Sequence, residues 1–246
     1  MNFLLRLMLP LIAAVLCMHG PCAMAAPLIV PDTIAQRVAA CAACHGKEGR
    51  ASPDGYLPRI AGKPAGYLYN QLLNFREGRR QNAAMINFVE HLTEAYLMEI
   101  ASYFGALDLP YAAPPAAPVP STVLARGEAL ALRGDPARQL PACADCHGVR
   151  LTGMLPATPG LLGLPRDYLL GQLGAWRSGE RRAMAPDCMA HLGDKLSPDD
   201  VAAVAAWLSL QAVGSDGKPA RPQPGSAEVV RLGLAQSSLK CVSATK

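Results

Sequence analysis

The six residues CAACHG, at positions 41–46, return as CADCHG at 143–148. A bare CxxC fits a redox dithiol or half of a zinc site, but a histidine directly after the second cysteine is the pattern of covalent c-type haem attachment. In that chemistry Cys41 and Cys44 form thioethers with the haem vinyl groups and His45 presents its imidazole to iron. Cys143, Cys146 and His147 take the same parts in the second copy. A dithiol leaves both histidines unexplained. Zinc needs four ligands, and neither motif has a matching second cluster in the sequence. The pattern therefore predicts two covalently bound haem c groups, each of which the chain has to wrap.

The duplication extends well beyond the motifs. YLYNQLLNFREGRR begins at Tyr67 and YLLGQLGAWRSGER at Tyr168, an offset of 101 that aligns Gln71 with Gln172, Phe75 with Trp176 and Gly78 with Gly179. LTEAYLMEIASYFGAL begins at Leu92 and LSPDDVAAVAAWLSLQ at Leu196, an offset of 104. One ancestral unit with a small insertion accounts for both numbers. Between the copies, PYAAPPAAPVPST at 110–122 is rich in proline and alanine and reads as a linker. The expected fold class is all-α: two tandem haem-wrapping domains, 27–109 and 123–211, followed by a tail at 212–246.

Within each copy the periodicity predicts helices. Residues 33–43 and 122–132 suit a first helix leading into the haem motif, and Tyr67–Glu77 an amphipathic middle helix stopping at Gly78. Thr93 and Ser197 are N-cap candidates for closing helices at Glu94–Leu107 and Pro198–Gln211. Pro198 then falls at the first helical position, where its missing N–H costs nothing. Aromatic residues are only 5% of the chain, so a porphyrin would supply apolar bulk that each small domain lacks.

Function turns on the sixth ligand to iron. An open or weakly held position invites small-molecule chemistry, whereas a methionine thioether closes the iron and raises its potential. In the first copy Met98 has core spacing within the closing helix, which leaves Met85, forty residues beyond His45, as the ligand from a returning loop. The second copy offers Met184 and Met189. Register favours Met189, which precedes Leu196 by the same seven residues that separate Met85 from Leu92. His91 and His191 do not occupy equivalent positions and read as surface or neighbouring groups, with bis-histidine ligation a minor alternative. Arg59, Lys63, Arg80 and Arg181 are candidates for propionate contacts, while Pro58 and Pro156 are candidates for lining the pockets. No Ser/His/Asp set, paired carboxylate or phosphate loop stands out, so the polypeptide reads as an electron carrier rather than an enzyme.

The ends and the charge bound the partners. Arg6, an apolar run from Leu7 to Met18 interrupted by Pro10, and Ala23 and Ala25 before the cut form a secretory signal over residues 1–25, too short for a membrane span. The expected location is the periplasm. There the two cysteines left over in the mature chain, Cys188 and Cys241, form a candidate disulfide. The formal charge of +4 is largely offset by the propionates of two haems, and no dense Lys/Arg stripe points to nucleic acid.

The order of these motifs resembles the dihaem cytochrome c4 family. CxxCHG, then P-R-I-A-G at 58–62, Y-L-x-x-Q-L-x-x-F-R-x-G-x-R at 67–80 and Met85 look like one domain of that family. CADCHG, the run L-P-x-x-Y-L-x-x-Q-L-x-x-W-R-x-G-E-R from Leu164 to Arg181, and M-A-x-L-G-x-x-L-S from Met189 look like the other. The resemblance implies two class I cytochrome c domains about a pseudo-two-fold axis, with haem propionates near the interface. It implies His/Met ligation by His45/Met85 and His147/Met189. It also implies electron transfer from quinol-oxidising complexes toward terminal oxidases, with peripheral membrane association in some members. This chain departs in carrying Asn87 and His191 where proline follows the methionine by two, and in its tail with Cys241. The tail leaves room for a specialised partner, such as a dehydrogenase or a different oxidase. The competing reading is a dihaem peroxidase or thiosulfate-oxidising enzyme, which needs an open or unusually ligated iron.

Overall fold

The two closing helices carry the same buried stripe. In the computed structural model, which describes residues 31–51 and 55–222, Leu97, Ile100, Ala101 and Phe104 are buried in the first half, and Val201, Val204, Ala205 and Leu208 in the second. Both sets fall at i, i+3, i+4 and i+7, one face of a helix. The helices are Glu94–Ala106 and Pro198–Ser209. Each begins on the residue expected: Thr93 Oγ1 accepts the Tyr96 N–H at 3.3 Å, and Ser197 Oγ that of Asp200 at 3.1 Å. Asp200 Oδ2 accepts the Ser197 N–H at 3.1 Å, which completes a capping box with a side chain one carbon shorter than the usual glutamate.

Numbered in chain order, the first half contains α1 (Ile34–Arg37), α2 (Ala42–His45), α3 (Ala65–Arg76), α4 (Ala83–Val89) and α5 (Glu94–Ala106). The second contains α6 (Ser121–Leu132), α7 (Cys143–His147), a two-residue antiparallel hairpin of β1 (Gly153–Met154) and β2 (Thr158–Pro159), α8 (Arg166–Ser178), α9 (Cys188–Lys195) and α10 (Pro198–Ser209). The single helix expected over 33–43 is instead broken, with a 3-10 turn at Ala39–Cys41 between α1 and α2. Its counterpart α6 runs unbroken for 12 residues.

The reason α6 packs so closely on α10 is Gly127. A Cβ there would lie 2.2 Å from the Ala203 carbonyl oxygen and 2.7 Å from Trp207 Cβ. Gly127→Ala is therefore expected to force the two helices apart and cost about 1–3 kcal/mol. A thermal melt of the holoprotein, with the midpoint lowered by roughly 3–10 °C, checks this.

Residues 107–120 have no regular structure before α6 begins. Arg59 holds this stretch: its guanidinium donates to the carbonyls of Ala61, Leu109 and Pro110 and lies 4.0 Å over the Tyr111 ring. The described start of the tail is also tied down. Ala220 exchanges backbone hydrogen bonds with Gly153 and Leu155, and Asp216 pairs with Arg150. The leader at 1–25 and Cys241 lie outside the described residues. Cys188, the first residue of α9, is disulfide-bonded.

Candidate haem sites and the interface between them

Each haem motif is a short helix ending on its histidine. His45 closes α2 and His147 closes α7, and both side chains are buried. His45 Nδ1 lies 2.8 Å from the Pro58 carbonyl oxygen, and His147 Nδ1 lies 2.7 Å from that of Pro159. A carbonyl only accepts, so Nδ1 carries the proton in each ring and Nε2 is left with its lone pair. Burial lowers both histidine pKa values; the carbonyl bond opposes the shift without reversing it. Neutral imidazole with a free Nε2 is the form that ligates iron.

The sequence pairing of Pro58 with Pro156 is corrected here. Pro159, at the same offset of 101 that relates Tyr67 to Tyr168, is the residue that holds the second histidine. The P-x-x-x-G spacing at 58–62 and 159–163 carried that signal.

The thiols fit the same chemistry. Cys41 and Cys143 are partly buried, and the second of each pair, Cys44 and Cys146, is exposed. Burial raises the pKa of Cys41, and pushes that of Cys143 up to about 11. The closing glycine of each hexapeptide is needed for its backbone. Gly46 and Gly148 have φ of +73° and +81°, and a Cβ on Gly46 would sit 2.1 Å from the Ala51 carbonyl oxygen. Among the described residues no cluster of three or more His, Cys, Asp or Glu gathers to hold a metal ion. Each site therefore offers two thiols and one imidazole to a prosthetic group that brings its own equatorial ligands.

The candidate sixth ligands lie in short helices rather than in the loops expected from sequence. Met85 is in α4, capped by Asn82, and packs against the cluster of Leu73, Phe75, Val89 and Leu97. Met189 is in α9, capped by Asp187, and packs against the second-half core. Met184 lies outside α9 and is 40% exposed, and Met98 on α5 is 42% exposed. His91 is exposed and pairs with Glu90 at 3.6 Å.

The two halves meet through residues that the repeat makes equivalent. Arg80 and Arg181 form an antiparallel bridge, flanked by Gln81 N–H to Glu180 O at 3.1 Å and Arg182 N–H to Arg79 O at 2.7 Å. Arg80 donates to Gln71 of its own half, and to Gln172 and the Tyr168 hydroxyl across the boundary. Arg181 mirrors it onto Gln172, Gln71 and Tyr67. Each guanidinium also stacks on its own half's aromatic ring, Arg80 on Phe75 at 4.5 Å and Arg181 on Trp176 at 3.7 Å. Paired equivalents of this kind define a pseudo-two-fold axis. Both arginines are buried, and among the described residues neither meets a carboxylate. Burial lowers the pKa of Arg181, with the charge of Arg80 adding to the effect. The indole Nε1 of Trp176 is buried, with no hydrogen-bond partner among the described residues. A cationic interface with an orphaned donor suits an anionic group at its edge.

Compared with known proteins, residues 33–102 match the family model for cytochrome c. The chain is 37% identical over 174 residues to the thiosulfate dehydrogenase electron acceptor of Thiomonas intermedia, covering 70% of this chain and 79% of that one. It is 32% identical over 176 residues to cytochrome c4 of Pseudomonas aeruginosa, covering 70% of this chain and 84% of that one. The chain belongs to the cytochrome c4 family. A solved structure of thiosulfate dehydrogenase from Marichromatium purpuratum superposes with a TM-score of 0.61 at 36% identity, over 78% of this chain. This chain spans only 42% of that longer one.

Membership accounts for the paired sites. A cytochrome c4 is a dihaem electron-transfer protein with covalently bound haem c, and this chain has one CxxCH in each of its helical halves. The all-α expectation holds, with the short β1–β2 hairpin as an addition that carries the acceptor for His147.

Proposed function

We propose that this chain is an exported electron acceptor for a thiosulfate-oxidising dehydrogenase, passing electrons onward to an oxidase-side carrier. The observation that carries the reading is the matched pair of buried histidines, each with Nδ1 committed to a proline carbonyl, in two halves joined by a reciprocal interface. The named partner is supported by the thiosulfate dehydrogenase electron acceptor among the relatives and by the dehydrogenase structure that contains a similar fold. The signal pattern at residues 1–25 supports export to the periplasm.

In this reading Cys41, Cys44, Cys143 and Cys146 would supply the thioethers, and His45 with Met85 and His147 with Met189 would hold the iron in the first and second halves. Haem c, when bound, supplies one-electron exchange between ferric and ferrous iron. The chain's own work is positional. Pro58 and Pro159 fix the tautomer and ring orientation of the histidines, so that neither rotates or reprotonates as charge changes. The partly buried methionines on α4 and α9 would add a thioether and apolar cover to each site. Arg80 and Arg181 offer the propionates of both halves a shared cationic boundary.

Mixing the oxidised holoprotein with thiosulfate and a catalytic amount of a thiosulfate dehydrogenase tests the proposal. The ferrous α-band is expected to grow at least about tenfold faster than with thiosulfate alone. Reduction and turnover with thiosulfate alone favour the enzyme reading, and no acceleration by the dehydrogenase assigns a different donor.

A further inference from the structure

The repeat is not symmetric in charge. Before the middle helix the first half reads GKPAGY at 62–67 and the second GLPRDY at 163–168, so that Lys63 stands where the second half has Leu164. Lys63 is 4% exposed, and its ammonium crosses the boundary to donate to the Gly160 carbonyl at 3.1 Å. Gly160 directly follows Pro159, the acceptor for His147. Among the described residues no carboxylate pairs with Lys63.

A lone buried ammonium with one carbonyl partner is costly to keep. Burial, with Arg59 adding to it, lowers the Lys63 pKa to about 8, which still leaves the group charged at neutral pH. The field of Lys63 reaches the histidine. His147 binds its proton less readily chiefly because of burial, the Pro159 carbonyl opposes this, and Lys63 acts in the same direction as burial. On the other side the cation that acts on His45 is Arg80 of its own half, whereas the one that acts on His147 is Lys63 from across the boundary.

We infer that Lys63 is a positioning residue of the first half that sets the redox balance of the second: its buried ammonium beside the His147 loop disfavours the ferric state of the haem tethered to Cys143 and Cys146. The physical basis is that iron carries one more positive charge when oxidised, and a fixed cation in a desolvated site penalises that state. The same charge draws electron density away from the Nδ1–H···O=C pair and makes the imidazole a weaker donor to iron. Because the counterpart position holds Leu164, no second-half lysine answers Lys63: the cation beside the first histidine belongs to its own half, and the one beside the second comes from across the boundary.

The inference rests on His147 holding the second haem, and the test separates the two. Holoproteins carrying Lys63→Gln, Lys63→Met and Lys63→Arg are titrated spectroelectrochemically. The two centres are distinguished by paramagnetic NMR of haem methyls assigned through their thioether links. The neutral variants are expected to shift the second centre's one-electron equilibrium toward oxidised by about tenfold, which is ~59 mV at one electron. The first centre is expected to move less than a third as far, and Lys63→Arg to stay near the parent. An unmoved second centre, an equal shift at both centres, or Lys63→Arg falling with the neutral variants overturns the inference. So does failure of both neutral variants to yield holoprotein while Lys63→Arg assembles, because the charge is then structural. If instead His147 is not the ligand, the histidine signature of the second centre is already missing from the parent spectrum.

Discussion

Met189→Ala is expected to abolish the near-infrared thioether-to-ferric band of the second haem, and Met184→Ala to leave it in place. Both residues follow Arg181 in a short segment, so proximity in sequence does not separate them. Packing does. Met189 lies in the first turn of α9 against the core built from Leu169, Leu173 and Val204, while Met184 is 40% exposed ahead of that helix. Loss of the thioether also removes the ligand that favours ferrous iron, so the midpoint of that centre should fall on the order of 0.1 V or more. Its ferric form should then bind cyanide at once. Magnetic circular dichroism in the near infrared reads the band centre by centre. The reverse pattern, with Met184→Ala losing the band, assigns the ligand to Met184.

Asp200→Asn is expected to cost roughly 2–4 kcal/mol at pH 7 and to flatten the acid limb of the stability curve. Asp200 is 4% exposed at the start of α10. Burial alone would raise its pKa, but hydrogen bonds from Arg138, Ser197 and Arg126 outweigh it and hold the value at about 2, below the usual 3.8. A carboxylate depressed on folding stabilises the folded state fully above its unfolded pKa, and that contribution is lost as pH falls through the folded value. The parent should therefore lose this stability between about pH 4 and pH 2, while the variant starts lower and changes less over that interval. Denaturant titrations at several pH values, with the haem band as probe, measure both slopes. Equal slopes in parent and variant would assign the acid response to other carboxylates.

The periodic parts of this molecule were legible from residues alone. The stripe at Leu97, Ile100, Ala101 and Phe104, its echo at Val201, Val204, Ala205 and Leu208, and the caps at Thr93 and Ser197 are short-range patterns, and the structure follows them. Features set by tertiary contact were not. The stretch at 33–43 has helical composition, yet it breaks so that Val38 can join the core beneath Ile100 and Phe104. The helices holding Met85 and Met189 are only 7 and 8 residues long, shorter than the window over which apolar periodicity separates a helix from a loop. Aligning Gln71 with Gln172 showed that they were equivalent, but not that each serves the opposite half's arginine. Arg59 reads from sequence as an anion contact, but that its guanidinium also holds the carbonyls of Leu109 and Pro110 depends on a tertiary contact the residues alone do not show.

The bridge between Arg80 and Arg181 lies on its own symmetry axis, and this bears on how such a molecule arises. A surface that is complementary to itself works as well between two separate copies as between two fused ones. A single-haem precursor with this arginine, glutamine and tyrosine trio already had what it needed to associate with its twin. Joining the genes then did more than fix the stoichiometry. It released the two copies from having to be identical, and the lysine at 63 against the leucine at 164 is one of the differences that followed.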